Sequence, residues 1–141
     1  MKIYVASSWK NNVHSTVVDL LRLYGHEVYD FKNPDEQIHG FTWTDIDVNW
    51  KHWTTEAYID ALSHPVAEAA FKRDFDAMKW ADCCLMVLPC GRSANTEAGW
   101  MKGAGKSVFV FQAFKEEPEL MYKIYDGILT TIEELEFHFK L

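Results

Sequence analysis

Two carboxylates in this sequence stand where they could do chemistry. Glu97 follows the loop Pro89-Cys90-Gly91-Arg92-Ser93-Ala94-Asn95-Thr96 and is expected in the first turn of the helix that this loop opens. Asp74 sits in the run Arg73-Asp74-Phe75-Asp76-Ala77-Met78, toward the end of the preceding helix. One carboxylate of such a pair can attack or stabilise a carbon that gains positive charge while the other acid helps a leaving group depart. Cleavage of an N-glycosidic bond, with its oxocarbenium-like transition state, requires that equipment. Each residue also has a plainer reading. A first-turn Glu favours the helix dipole and can complete a cap with Ser93 or Asn95. Asp74 can be a solvated acid paired with Lys72 or Arg73, although acids are disfavoured near a helix C-terminus. Asp76 and Asp82 are weaker candidates, the latter reading as a strand-entry turn residue.

The elements that must position these groups follow from periodicity. Residues 2–6 (KIYVA) form a short apolar run ending at Ser7-Ser8, which predicts a buried strand leading into a loop. Asn11 or Asn12 can cap a helix whose apolar positions recur up to Tyr24, with Gly25 as its stop. Residues 27–31 give the next strand, and strand, helix, strand within about thirty residues is the length of a right-handed crossover. Residues 32–45, with Pro34 and Gly40, predict a long loop. Helices are expected over about 47–62 and 65–80, with Pro65 in the first turn of the second. Residues 82–88 (DCCLMVL) read as a central strand buried on both faces. A loop over 89–95, a helix over 96–103, a strand over 107–112, a short helix over 118–125, a short strand over 128–130 and a closing helix over 132–139 complete the chain. The expected fold is a single-domain α/β structure over residues 1–141, a doubly wound parallel sheet of about five strands in flavodoxin-like order. Ligands of such sheets bind at the C-terminal ends of the strands, which selects the loops 7–12, 32–45 and 89–96. In the last of these, Gly91 admits close backbone approach, and the amides around Arg92 and Ser93 form an anion or hydroxyl site.

Composition narrows the partners. The chain has 141 residues and a formal net charge of −7, and its 14 Lys and Arg are scattered, which argues against polymeric nucleic acid. Six Trp, six Tyr and nine Phe exceed what a core of this size needs, so some rings are expected to line a cleft or a subunit contact. Phe41 and Trp43, in the long loop, are the candidates for stacking on a base, whereas Trp50 and Trp53 are helically spaced and expected to pack on the sheet. The three cysteines and six histidines fall at no metal-ligand spacing, so no metal is expected and the histidines read as surface or packing residues. With no basic leader and no apolar stretch of roughly 20 residues, the sequence predicts a cytoplasmic protein without a membrane partner.

Three segments carry a resemblance. KIYVASSWKN, RDFDAMKWADCCLMVLP and GRSANTEAGWMKGAGKSVFVF resemble the nucleoside 2-deoxyribosyltransferase family, which includes deoxynucleoside 5'-monophosphate N-hydrolases. The likeness spans residues 2 to about 111, with a weaker echo over 119–125. The family's E-x-G-x-A-x-x-x-G-K run is matched from Glu97 to Lys106, with Met101 in place of the small residue. The resemblance implies that Glu97 is a nucleophile and that Asp74, 23 residues ahead of it (97 − 74), is its partner acid. It further implies that Tyr4 hydrogen-bonds the nucleophile, that Trp9 walls the pocket, and that Met121 reaches into the site of a neighbouring subunit in a homo-oligomer. From the residues alone, Tyr4 would be core, Trp9 a covering ring and Met121 equally a core filler. Where many relatives hold the sugar's 5' end with Asp or Ser, this chain has Gly91 and Arg92. Arg92 offers a fork suited to phosphate, and Ser7, Ser8, Lys10 and Asn11 could meet the same phosphate at the first helix N-terminus. Ser8 can equally be an ordinary cap residue.

The expected function is therefore cleavage of the N-glycosidic bond of a small-molecule nucleoside or nucleotide, with transfer of the sugar to another base or to water and no cofactor. Two alternatives stay open on the sequence. One is an NAD glycohydrolase on the same scaffold, and the other is a nucleotide-binding module without catalysis.

Overall fold

The computed structural model describes residues 1–140. Five strands form one parallel sheet in the order β2-β1-β3-β4-β5, the flavodoxin-like order expected. They are β1 (Lys2–Ala6), β2 (Glu27–Asp30), β3 (Cys83–Val87), β4 (Ser107–Phe111) and β5 (Gly127–Leu129). The helices are α1 (His14–Leu23), α2 (Thr55–Leu62), α3 (Pro65–Trp80), α4 (Arg92–Gly103) and α5 (Ile132–Phe139). The chain divides into two compact units, one of Met1–Asp30 and Met78–Leu141, the other of Phe31–Ala77.

The first unit holds the whole sheet. Strand alternation sends Ile3, Val5, Cys83, Leu85, Val87, Phe111 and Leu129 to one face, where they form a core with Val17, Val18 and Leu21 of α1 and Leu135 and Phe139 of α5. The opposite parity, Tyr4, Ala6, Cys84, Met86, Val108 and Val110, is equally buried and belongs to the face that α4 covers with Ala94, Ala98 and Met101. Helices thus cover both faces of a parallel sheet, as the continuous apolar run in β3 requires. Gly25, at φ 92°, turns the chain out of α1, and Gly105, at φ 85°, does the same after α4. The Lys106 ammonium donates to the carbonyls of Lys79 (2.8 Å) and Ala81, closing the C-terminal end of α3 with a positive charge where the helix dipole is negative.

The second unit begins with a loop whose ends meet through a bond from the Gly40 amide to the Lys32 carbonyl (2.8 Å). A 3-10 turn at Trp43–Asp45 follows, capped reciprocally by Thr42 and Asp45. The helix expected over about 47–62 is instead a 3-10 turn at Trp50–His52 and then α2, which begins only at Thr55. Asp47 diverts the chain by accepting from the Asn49 amide (2.8 Å) and the Trp53 indole (2.8 Å), and Thr54 caps α2 through the Ala57 amide (3.1 Å). Trp50 and Trp53 therefore do not share a helix face. Trp43 is the hub of an aromatic cluster, edge-on to Phe41 (4.9 Å between centroids), Trp53 (5.6 Å) and Tyr58 (6.2 Å).

The other departures are local. α4 starts at Arg92, four residues earlier than expected, with Gly91 as its N-cap. Ser93 and Asn95 suggest a loop by propensity, but Ala94 and Ala98 are fully buried, and that packing carries the helix back over them. Glu97 consequently lies in the second turn, and no acid occupies the first. The helix expected over 118–125 is a 3-10 turn at Leu120–Ile124. Among the described residues no helix is long and apolar enough to cross a membrane.

Candidate active site

Tyr4 is the buried centre of the first unit's polar chemistry. It is wholly inaccessible and stands in register with Tyr29 of β2 and Cys84 of β3. Its ring stacks on Tyr29 with centroids 5.3 Å apart and planes 16° from parallel, which fixes the direction of the phenol. That phenol donates a hydrogen bond to Oε2 of Glu97. Glu97 is half-buried on the flank of α4, beside the stripe of Ala94, Ala98 and Met101 that packs on the sheet. The short side chains of that stripe bring the helix close to β1, and a tyrosine is long enough to span the remaining gap. A carboxylate held by a rigid buried donor is oriented before any ligand arrives, the arrangement that serves a nucleophile.

The three thiols of the chain are buried or half-buried. Burial pushes the Cys84 thiol well above its ordinary range, and the charges of Cys83, Glu97 and Cys90 add to it. Cys90 is pushed up to about 11 by burial and by the negative charge of Glu116 and Glu97, against a smaller opposing effect of its hydrogen bond from Asn95. Cys83 is pushed up to about 12, again chiefly by burial. Near neutral pH these thiols are protonated and weakly nucleophilic.

The start of α4 is braced by residues that the sequence did not single out as a set. The Tyr122 hydroxyl donates to Oδ1 of Asn95 (2.8 Å), and Nδ2 of Asn95 donates to the Gly91 carbonyl (2.8 Å) and to Sγ of Cys90 (3.7 Å). Tyr122 and Tyr125 pack at 5.7 Å, and burial raises both phenols above their ordinary range. Gly91 has φ −115° and open space around the position of a Cβ, so neither backbone strain nor packing demands glycine there. Arg92 and Ser93 are exposed first-turn residues of α4 rather than loop residues.

In the first loop, the Ser7 hydroxyl is buried against Nδ1 of His14 (2.6 Å), and Nε2 of His14 meets Oδ1 of Asp30 (2.7 Å). Asn11 does the capping of α1 through Oδ1, which accepts from the amides of Val13 (2.7 Å) and His14 (2.9 Å). Two amides of the helix start on which a phosphate was expected are thereby occupied by protein. Ser8 is half-buried, and Trp9 is 43% exposed. Met121, at 61% exposure between the exposed Leu120 and Ile124, is no core filler.

Asp74, Phe41 and Trp43 belong to the second unit. Asp74 shares one face of α3 with the buried Ala67, Ala70 and Ala77, at helical spacings of three and four. Lys72 pairs with Asp76, one turn further along the exposed side of α3. Beside Asp74, Nε of Arg73 is buried with no hydrogen-bond partner among the described residues. Among those residues no three His, Cys, Asp or Glu side chains converge as a metal site would require.

No protein-family model matches the chain. No curated protein matches it by sequence. Solved structures do match by fold. The chain is similar to a 2-deoxyribosyltransferase from Bacillus psychrosaccharolyticus at 23% identity and a TM-score of 0.58, over 96% of this chain and 90% of that one. It is similar to a conserved protein from Enterococcus faecalis V583 at 12% identity and a TM-score of 0.61, over 99% and 97%. It is also similar to a CMP N-glycosidase of Clostridium botulinum at 16% identity and a TM-score of 0.54, over 97% and 95%. The chain thus has the nucleoside 2-deoxyribosyltransferase-like fold along nearly all its length.

Proposed function

We propose that this protein cleaves the N-glycosidic bond of a nucleoside or nucleoside 5'-monophosphate and passes the sugar to water or to another base. The observation that carries this reading is the buried Tyr4 phenol holding the Glu97 carboxylate, within a set of thiols kept protonated. A fold shared with a 2-deoxyribosyltransferase and a CMP N-glycosidase supports it. A carboxylate Oε of Glu97 bonds to C1' as the C1'–N bond breaks, and the electron pair leaves with the base. Asp74 supplies or positions the proton that the departing base takes up. Water or an acceptor base then attacks C1' from the vacated face, the Glu97 ester bond breaks, and the carboxylate is regenerated with retention at C1'. Phe41 and Trp43 supply ring surface for the base, and Trp9 walls the sugar side. The exposed fork of Arg92 at the start of α4 favours a 5'-phosphate. Met121 and its exposed apolar neighbours fit a contact with a second copy of the chain that completes the site.

The test is a screen of deoxynucleosides, ribonucleosides and their 5'-monophosphates, with and without an acceptor base, followed by chromatography of free base. Base release is expected from at least one of them, and Glu97→Ala should abolish it while leaving the circular dichroism spectrum and melting curve intact. Undiminished release by that variant would sink the assignment.

A further inference from the structure

Ser7, His14 and Asp30 form a continuous buried chain, with exposures of 6%, 0% and 5%. A carboxylate only accepts, so Nε2 carries the ring proton toward Asp30. In the neutral imidazole Nδ1 then accepts from the Ser7 hydroxyl. The relay has one direction, and it joins the end of β1, the start of α1 and the end of β2. Asn11, 3% exposed, ties the same loop to the other side, donating from Nδ2 to the carbonyls of Val87 (3.1 Å) and Pro89 (3.0 Å) at the end of β3. Strand order reverses between β1 and β3, where open parallel sheets bind their ligands. The loop that crosses this point is therefore fastened to both neighbouring strands, and the side chains it leaves toward solvent are Trp9, Lys10 and Asn12, with Ser8 half-exposed. A buried ionic group is a weak source of stability compared with apolar residues of the same volume. What a hydrogen-bonded trio adds is a single loop geometry.

We propose that Ser7, His14 and Asp30 are positioning residues that hold the loop between β1 and α1 in its ligand-binding conformation, acting on substrate affinity rather than on the bond-breaking step. For turnover the inference rests on the proposed glycosidic cleavage. Glu97 and Tyr4 are held on the other face of β1, so their geometry survives the relay's loss. If the competent loop conformation falls to about a tenth of the population, apparent affinity falls about tenfold.

The experiment compares the full chain with Ser7→Ala, Asp30→Asn and Ser7→Thr. Nitrogen-15 NMR of the native protein should find the His14 proton on Nε2. Ser7→Ala and Asp30→Asn should raise KM for the best nucleotide found by the screen about tenfold, with a smaller change in kcat. They should also speed exchange of the Asn11 and Val13 amides about tenfold. Ser7→Thr, which keeps the hydroxyl, should restore both. A native proton on Nδ1, an unchanged KM and exchange rate in Ser7→Ala, or kcat falling with KM in step with global melting would overturn the proposal. If Asp30→Asn fails to fold, Ser7→Ala carries the same comparison. If no substrate is turned over, the functional reading fails by itself, and the tautomer and exchange measurements still decide the relay.

Discussion

Replacing Tyr4 with Phe removes one oxygen and leaves the ring. The stack on Tyr29 and the buried apolar surface stay, so the ring keeps its share of the fold's stability. The hydrogen bond to Glu97 is lost outright. Hydrogen bonds to charged groups contribute about 1.5–3 kcal/mol. If the phenol orients the nucleophile in the transition state, the same energy comes off the barrier stabilisation, and kcat should fall about 10- to 150-fold. The phenol is bonded to the carboxylate, so if it acts only through Glu97, KM should change by less than about threefold, well below the effect on kcat. Steady-state release of free base, measured for the parent, Tyr4→Phe and Glu97→Gln, checks this. A Tyr4→Phe enzyme within about twofold of the parent, beside an inactive Glu97→Gln, would show that the contact does not serve catalysis, since even the low end of the hydrogen-bond range exceeds that difference.

Three further outcomes follow from the same structure. Cys90 should react slowly with iodoacetamide at pH 7.5, and its rate should climb about tenfold per pH unit toward a thiol value of about 11; fast alkylation at neutral pH, read by mass spectrometry, would contradict the burial that raises it. Leu85→Ala opens a void at a fully buried position of the central strand and should cost about 2–5 kcal/mol in urea unfolding. The Asp126 carboxyl is held below its ordinary value of 3.8 by the Val108 amide and the Lys102 ammonium. A depressed folded value gives stability that is present above pH 3.8 and lost as pH falls through the lower folded value, so Asp126→Asn should flatten the acid limb of thermal stability below about pH 4 and leave its shape at pH 7 unchanged.

Much of the fold is legible in the sequence because it rests on local patterns. β1 and α3 have the bounds expected from an apolar run and an opening proline, α5 has those of the closing helix, and the alternation of strands and helices matches the sheet order. The failures fall where a distant contact outweighs local preference. Ser93 and Asn95 speak for a loop, and only the burial of Ala94 and Ala98 on the sheet makes that stretch helical. Asp47 breaks the expected helix by binding an indole six residues on, a choice that periodicity does not encode. At the site, the residue chemistry alone made Tyr4 a core ring, and its bond to Glu97 was expected only through the family resemblance. His14 and Asp30 look like a packing histidine and a strand acid until the crossover from β1 through α1 to β2 brings them together. Brackets such as Tyr122 on Asn95 join residues 27 apart, and the fold brings them together.

The parity of β1 explains how so short a strand can serve two purposes. Tyr4 points to the face that α4 covers and there meets Glu97, while Ile3 and Val5 point to the opposite core, and Ser7 continues their parity toward His14 of α1. The group that holds the Glu97 carboxylate and the group that meets His14 are thus three residues apart and on opposite sides of the sheet. A one-residue slip of the strand would turn Tyr4 into the apolar core and point Ser7 at α4, removing both contacts together. The buried residues of β3, paired to β1 from Ile3 with Cys83 to Ala6 with Met86, oppose that slip, because it would expose or bury the wrong set on both faces. The register that packs the core is therefore the same register that makes the Tyr4–Glu97 and Ser7–His14 contacts, and core substitutions that loosen β1 against β3 should weaken both before they unfold the chain.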